Sequence, residues 1–165
     1  MLKPVIRKSA QGSGLRFAIV ASRYNAQFVD AMLNAARHAL KQAGVKAVHV
    51  VRVPGAYEIP VVVSSLAREA AARNTAQKQQ PLAAIICLGV ILRGETVHAA
   101  HIGEAVSRAL MEIQVRNVVP VIHEVLLLEN EEQARVRCLG RTHNRGAEAA
   151  QTALAMAQVM RMLGP

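Results

Sequence analysis

The residues with the most chemical potential lie in one run, Gly89-Val90-Ile91-Leu92-Arg93-Gly94-Glu95-Thr96-Val97-His98. This run leaves an apolar segment of strand type and enters a helix, where free backbone N–H groups and the helix dipole favour an anion. Gly94 lets the main chain approach a ligand closely, Thr96 offers a hydroxyl and Arg93 a charge. His98, just inside the helix, has a side chain suited to proton transfer at neutral pH. The plain alternative is a tight turn with a capping Thr and a solvated His, and composition does not separate the two. A Walker A loop is excluded, because no Gly-Lys-Ser/Thr ending is present.

A second run, Val53-Pro54-Gly55-Ala56-Tyr57-Glu58-Ile59-Pro60, is made rigid by two prolines and aims Tyr57 and Glu58 beyond a strand end. A carboxylate there can accept hydrogen bonds from polyol hydroxyls or ring N–H groups. A helix start with a dipole-compensating Glu explains it more simply. Tyr24, in the polar loop Ser22–Asn25, is placed either to stack on a planar heterocycle or to cover the core. Arg135, Arg137, Arg141 and Arg145, with Asn144, read on their own as a solvated basic face. His38 and His49 fall inside a helix and a strand and read as structural. His98 and His101 form a His-x-x-His pair, but no third ligand of suitable spacing stands out, so no metal site is expected.

These groups require a scaffold that brings loop ends together. Strand-type runs at Leu15–Ala21, Ala47–Val53, Leu82–Leu88 and Val118–Leu127 alternate with helical patterns. The first helix carries Val29, Met32, Leu33, Ala36 and Leu40 and stops at Gly44. Later helices are expected from about Glu58 to Arg73, His98 to Val115, Asn130 (as cap) to Arg137, and Arg145 to Leu163. Gly89–Val97 reads as a glycine-containing loop, and Asn74–Pro81 as a polar connection. Residues 1–14 read as a tail or edge strand ahead of one domain over 15–165. Alternating strands and helices, with strands apolar on both faces, predict an α/β fold around a parallel sheet with helices on both faces. Ligands in such sheets gather beyond the carboxyl ends of the strands. That rule selects Ser22–Asn25, Pro54–Glu58, Gly89–His98 and Ile122–Leu128.

Composition removes several classes. The 165 residues are 52% hydrophobic yet hold only two Tyr, two Phe and no Trp, which suits a tightly packed aliphatic core and excludes disorder. The longest apolar run, Leu82–Leu92, falls well short of the roughly 20 residues that span a bilayer. The N-terminus lacks the apolar stretch of a secretory signal. Two cysteines, Cys87 and Cys138, are too few for a disulfide framework and read as reduced thiols of a cytoplasmic protein. The net charge of +9 is concentrated in residues 1–50, where Lys3, Arg7, Lys8, Arg16, Arg23, Arg37, Lys41 and Lys46 face Asp30 alone. No basic cluster is interleaved with aromatics, so nucleic acid is not the expected partner.

Four stretches resemble the lumazine synthase family in order and spacing. They are Gly14 to Asn25, Val53 to Pro60, Gly89 to His98, and Glu132-Gln133-Ala134 continuing to Asn144–Ala150. The Pro-Gly-Ala-Tyr-Glu-Ile-Pro and Arg-Gly-Glu-Thr-x-His strings together carry the likeness, over about residues 14–160. The resemblance implies a flavodoxin-like three-layer fold with a four-stranded parallel core sheet. It implies condensation of 5-amino-6-(D-ribitylamino)uracil with 3,4-dihydroxy-2-butanone 4-phosphate to 6,7-dimethyl-8-ribityllumazine, phosphate and water, with no metal or organic cofactor.

By the same resemblance Tyr24 stacks on the pyrimidine, Ala56, Tyr57 and Glu58 meet the ribityl chain, and Val90, Ile91 and Leu92 line the heterocycle pocket. Glu95 and Thr96 present donors to the phosphate, Arg137 supplies its counter-charge, and His98 transfers protons. Family active sites lie between neighbouring subunits of a pentamer, so His123 and Arg137 are expected from the adjacent chain; decamers and icosahedral shells also occur. This chain departs from the family at His123 (usually Phe), Ala99-Ala100-His101 (commonly aromatic, acidic, aromatic), Glu124 and Leu127 (usually Gly and Thr) and Arg145 (usually Lys). Two other readings remain open here. One is a weakly catalytic or non-catalytic paralogue that binds a riboflavin- or lumazine-like ligand; the other is a basic shell-forming binding protein.

Overall fold

The structure, a computed structural model, describes residues 12–73, 82–140 and 143–164. Most of the tail expected over residues 1–14, the connection Asn74–Pro81 and Arg141 therefore lie outside the described residues. Four strands, β1 (Arg16–Ser22), β2 (Val48–Val53), β3 (Leu82–Leu92) and β4 (Val121–Leu128), form one sheet in the order β2-β1-β3-β4. All three pairings are parallel. Five helices connect and cover them: α1 (Ala26–Gln42), α2 (Ile59–Arg73), α3 (His98–Asn117), α4 (Glu131–Cys138) and α5 (Arg145–Leu163).

Alternate strand residues point to two separate cores. Phe17, Ile19, Ala21, Ile86, Leu88 and Ile122 pack under α1, α4 and α5. Ala18, Val20, Ile85, Cys87 and Val125 pack under α2 and α3. A parallel sheet covered on both faces needs strands that are apolar throughout, and the expectation of a three-layer α/β fold holds. Among the described residues no helix is long and apolar enough to cross a membrane.

Local signals behave as their chemistry requires. Gly44 ends α1 at φ 85°, and its N–H and that of Val45 close back on Lys41 and Leu40. Asn130 caps α4 by accepting from the Gln133 N–H at 3.0 Å, while the Gln133 side chain accepts from the Glu129 N–H.

Three boundaries differ from the sequence reading. Ser22 is the last residue of β1, buried and paired in register with Val53, and is not part of a polar loop. Strand β4 begins at Val121, because α3 runs on to Asn117 and Val118 turns the chain at φ 53°. Most consequential for the site, Gly89–Leu92 continues β3, with Val90, Ile91 and Leu92 opposite Leu126, Leu127 and Leu128. Gly89 serves packing there: a Cβ would lie 3.1 Å from Val125 and 3.4 Å from Ile59.

The start of α5 is fixed just as tightly. A Cβ on Gly146 would sit 1.9 Å from the Met32 carbonyl oxygen of α1, a backbone atom that no side-chain rotation can clear. At Gly103 of α3, the nearest atom to a Cβ is a Leu127 methyl at an ordinary 3.5 Å. Gly146→Ala is therefore expected to destabilise the fold by roughly 3 kcal/mol through overpacking. Gly103→Ala should be neutral or gain up to about 1 kcal/mol of helix propensity. Urea denaturation of the two variants beside the parent chain measures both.

Candidate active site

Helices leave the strand ends in opposite directions at one point of the sheet. β1 feeds α1 on one face, while its neighbour β3 feeds α3 on the other. Such a switch point opens a crevice beyond the carboxyl ends of the strands. Here the crevice is a groove of about 1110 Å³. Asn25, held at φ 56° where the chain leaves β1, donates from Nδ2 to the Val90 carbonyl of β3 at 2.8 Å and ties the two walls together. Asn25 was not singled out from sequence as a site residue, although a non-glycine at positive φ between a strand and a helix favours Asn.

Nine of the twelve residues expected at the site line this groove: Tyr24, Ala56, Tyr57, Glu58, Val90, Ile91, Leu92, Thr96 and His98. The two phenylalanines are fully buried, whereas Tyr24 and Tyr57 are 71% and 64% exposed, so Tyr24 does not cover the core. The Tyr24 ring rests on Gly55, where a Cβ would come within 3.0 Å of Cδ2 and 2.9 Å of the Glu58 carboxylate. A side chain at position 55 would press on both the Tyr24 ring and the Glu58 carboxylate. One Glu58 oxygen accepts from the Gly55 N–H at 2.8 Å, which fixes the carboxylate inside the turn Ala56–Glu58 while the residue still lines the groove.

The polar end of the groove is the start of α3. Its first-turn N–H groups have no carbonyl one turn back to bond, and Thr96 Oγ1 accepts from the His98 N–H at 3.4 Å. A Cβ on Gly94 would meet nothing within 4 Å, so this corner is open for an incoming group. Arg93 does not point there. Its guanidinium is held on the Glu129 carboxylate at 3.0 and 3.1 Å, so the charge that sequence suggested for anion binding is engaged away from this corner. One flank of α3 forms the remaining wall, through His98, His101, Ile102, Ala105, Arg108 and Glu112. Among the described residues no group of three or more His, Cys, Asp or Glu is gathered to hold a metal ion.

Three expected residues do not line the groove: Glu95, which is exposed at its mouth, His123 and Arg137. His123 sits on the edge strand β4, behind the opposite flank of α3, where Ser107 meets it at 2.8 Å and Gln114 accepts from the Val121 N–H. Arg137 is exposed on α4, across the sheet from α3. Within one chain, α3 and the sheet separate both residues from the groove.

Sequence reading also missed an ion pair beneath Arg137. Glu124 is the one charged residue buried among the described residues, at 7% exposure. It accepts from Arg145 Nε at 3.0 Å, and Arg145 also reaches Glu148 at 2.8 Å. Arg145 is therefore not part of a merely solvated basic face. Burial pushes the Glu124 carboxyl up to about 7 despite the attraction of Arg145.

A sequence profile of the family described as 6,7-dimethyl-8-ribityllumazine synthase matches residues 14–161. A protein named 6,7-dimethyl-8-ribityllumazine synthase from Xanthomonas campestris pv. campestris (strain B100) is 41% identical over 150 residues, 90% of this chain and 91% of its own. One of the same name from Xylella fastidiosa (strain M12) is 41% identical over 153 residues, 92% of this chain and 93% of its own. A third, from Xanthomonas euvesicatoria pv. vesicatoria (strain 85-10), is 40% identical over 150 residues, 90% and 91% of the two chains.

The Glu124 pair makes a signed prediction. An ordinary glutamate carboxyl titrates near 4.5 and this one near 7, so between those values the folded chain holds a proton that the unfolded chain has lost. Stability from this group is complete below pH 4.5 and falls as pH rises to about 7, by on the order of 3 kcal/mol. Glu124→Gln removes the titration. Urea melts at pH 5 and pH 8 should show the Gln variant gaining on the parent chain at the higher pH by up to that amount.

Proposed function

The chain belongs to the 6,7-dimethyl-8-ribityllumazine synthase family, and from that premise we propose the part each groove residue takes in the family's reaction. That reaction, in riboflavin biosynthesis, joins 5-amino-6-(D-ribitylamino)uracil to 3,4-dihydroxy-2-butanone 4-phosphate and releases the lumazine, phosphate and water. The observation that carries the reading is the groove itself. Its apolar floor, two outward tyrosines, a turn-held carboxylate and an open helix start lie together at the switch point.

Tyr24 stacks on the pyrimidine, and its seat on Gly55 sets the plane of the ring. Val90, Ile91 and Leu92, the last residues of β3, form the apolar floor on which the heterocycle lies. Ala56, Tyr57 and Glu58 receive the ribityl chain, with Glu58 accepting from its hydroxyls. Thr96, the backbone of Glu95 and the first-turn N–H groups of α3 hold the phosphate. Imine formation moves protons from the amine to the departing water, and phosphate loss requires a proton to leave carbon. His98, beside the phosphate corner, is the group that takes and returns them. Holding two substrates in register supplies much of the remaining acceleration.

We place the complete site between two subunits of a homopentamer. His123 and Arg137 cannot reach the groove of their own chain, so they serve a neighbour, His123 against the heterocycle and Arg137 beside the phosphate. Exposed Val97, Met111, Val115, Val118 and Leu127, on and around α3 and β4, supply apolar surface for that contact. Larger shells built from pentamers are compatible with this arrangement. The two free, buried thiols suit a reducing compartment, and we assign the protein to the cytoplasm. Relatives named as the synthase across nine-tenths of both chains favour catalysis over the ligand-binding and basic-shell alternatives.

Mixing the purified protein with both substrates should release phosphate and build up lumazine absorbance. His98→Ala should lower kcat by roughly 10²-fold, the scale of a lost general acid–base. A silent parent chain, or a fully active variant, would contradict this reading. Shared sites have their own signature: His98→Ala and Arg137→Ala chains, each impaired alone, should regain part of the activity when unfolded together and co-refolded. No recovery in verified mixed oligomers would place both residues in one chain's site.

A further inference from the structure

Building on the reading that His123 meets a neighbour's ligand, we propose that Ser107 is a positioning residue, fixing His123 as an uncharged, Nε2-protonated ring that serves as a flat stacking plate. Ser107 lies midway along α3, and its Oγ donates its hydrogen to the Gly103 carbonyl at 2.7 Å. With that hydrogen committed, Oγ can only accept from His123 Nε2, 2.8 Å away. Nε2 therefore carries the ring hydrogen. The Val125 backbone N–H donates to Nδ1 at 3.4 Å, so Nδ1 presents its lone pair. A second proton, on Nδ1, would set two donors against each other.

Both polar corners of the imidazole are thus used inside its own chain, and its exposed π-face is what remains for a ligand. This explains how histidine can stand where the family usually has phenylalanine. The serine occupies one polar edge and the Val125 N–H occupies the other, where it also disfavours the charge that would otherwise distinguish the two rings. Burial also holds the imidazole below its ordinary range. The charged groups on the elements packed around it are already engaged. On α3, Glu104 pairs with Arg108 at 2.7 Å and Glu112 with Arg116 at 2.6 Å. Cys87, the register partner on β3, is a buried thiol that burial keeps protonated. Glu124, next on β4, points to the opposite face and binds Arg145.

Histidine-selective ¹⁵N NMR tests the tautomer directly, with His123→Phe identifying the resonances. The parent chain should show Nε2–H, Nδ1-lone-pair signals from pH 8 to pH 6. Ser107→Ala, with Nε2 no longer tied, should show mixed Nε2–H and Nδ1–H tautomers within that window, and Ser107→Thr should restore the parent pattern. Fluorescence titration with 6,7-dimethyl-8-ribityllumazine supplies the functional arm. Its Kd should change less than about twofold between pH 8 and 6 for the parent and Thr chains, and be about fivefold or more weaker at both pH values for the Ala chain, whose ring is no longer held in one orientation.

An Nδ1–H or protonated ring in the parent, or an Ala variant identical to the parent in both measurements, overturns the proposal, as does failure of the parent to bind the lumazine at all. The two-substrate assay on the same samples keeps the two ideas apart. Bound lumazine and a fixed tautomer without turnover would reject the catalytic reading and support the role of Ser107. Turnover with a freely titrating His123 would reject the role of Ser107 alone.

Discussion

A sheet of parallel strands that are apolar on both faces leaves the chain little choice about where polar work is done. Backbone groups inside the sheet are consumed by the ladders, and side chains on either face are consumed by the two cores. What stays free is the row of connections at the carboxyl ends. There, the divergence of β1 and β3 to opposite helical layers keeps the two connections from closing over each other. The Asn25–Val90 hydrogen bond holds that gap at a fixed width. The tyrosine seat, the apolar floor and the start of α3 take their positions from these two strand ends. Rigid elements position a site more closely than loops do.

The electrostatics follow the same division. On the groove side the arginines have carboxylate partners: Arg93 pairs with Glu129 and Arg108 with Glu104. In the proposed site, the positive end of the α3 dipole is then the local feature that draws the phosphate. On the far side of the sheet, the buried Glu124 pairs with the partly exposed Arg145 at two positions where the resemblance leads one to expect Gly and Lys. The two departures explain one another physically. A carboxylate pushed into a core needs a cation with donors in a fixed fork, and arginine supplies it where lysine offers only a point charge. Arg145 is anchored in turn by Glu148 and by the tight seat of Gly146 against α1.

Much of this was legible in the sequence, and the parts that were not share a cause. The four strands and five helices follow from period and punctuation: Gly44 and Asn130 act as written, and the Pro-Gly turn delivers Tyr57 and Glu58 to the groove. The end of β3 was misplaced because Gly89 reads as a turn residue. Its real role, to let Val125 and Ile59 approach, depends on two segments distant in sequence. Arg93 and Arg145 looked like free cations because their partners, Glu129 and Glu124, lie on another strand or beyond it. The groove flank of α3 was missed for a similar reason. His101, Ala105, Arg108 and Glu112 have the composition of a solvated helix face, and only the open crevice beside them gives that face a role. Pattern reports what a segment does for itself; it is silent about what a distant segment leaves uncovered.

The proposed shared site has a physical rationale in the single chain. Helix α3 has two working flanks, one facing the groove through His98, Ala105 and Arg108, the other facing β4 through Gly103, Ser107 and Gln114. No rotation of a side chain carries His123 around a helix to the far flank. Bringing it there within one chain would mean unpairing β4, the strand whose neighbour β3 forms the floor of the groove. A neighbouring subunit removes the conflict, because the flank that is remote in one chain can lie against the groove of the next. In the proposed assembly each α3 would serve two sites, its start gripping the phosphate of one and its Ser107 side aligning the aromatic wall of another. Under that arrangement the groove's open side and the outward-facing His123 and Arg137 are complementary halves of one repeated contact, and assembly becomes a condition of chemistry.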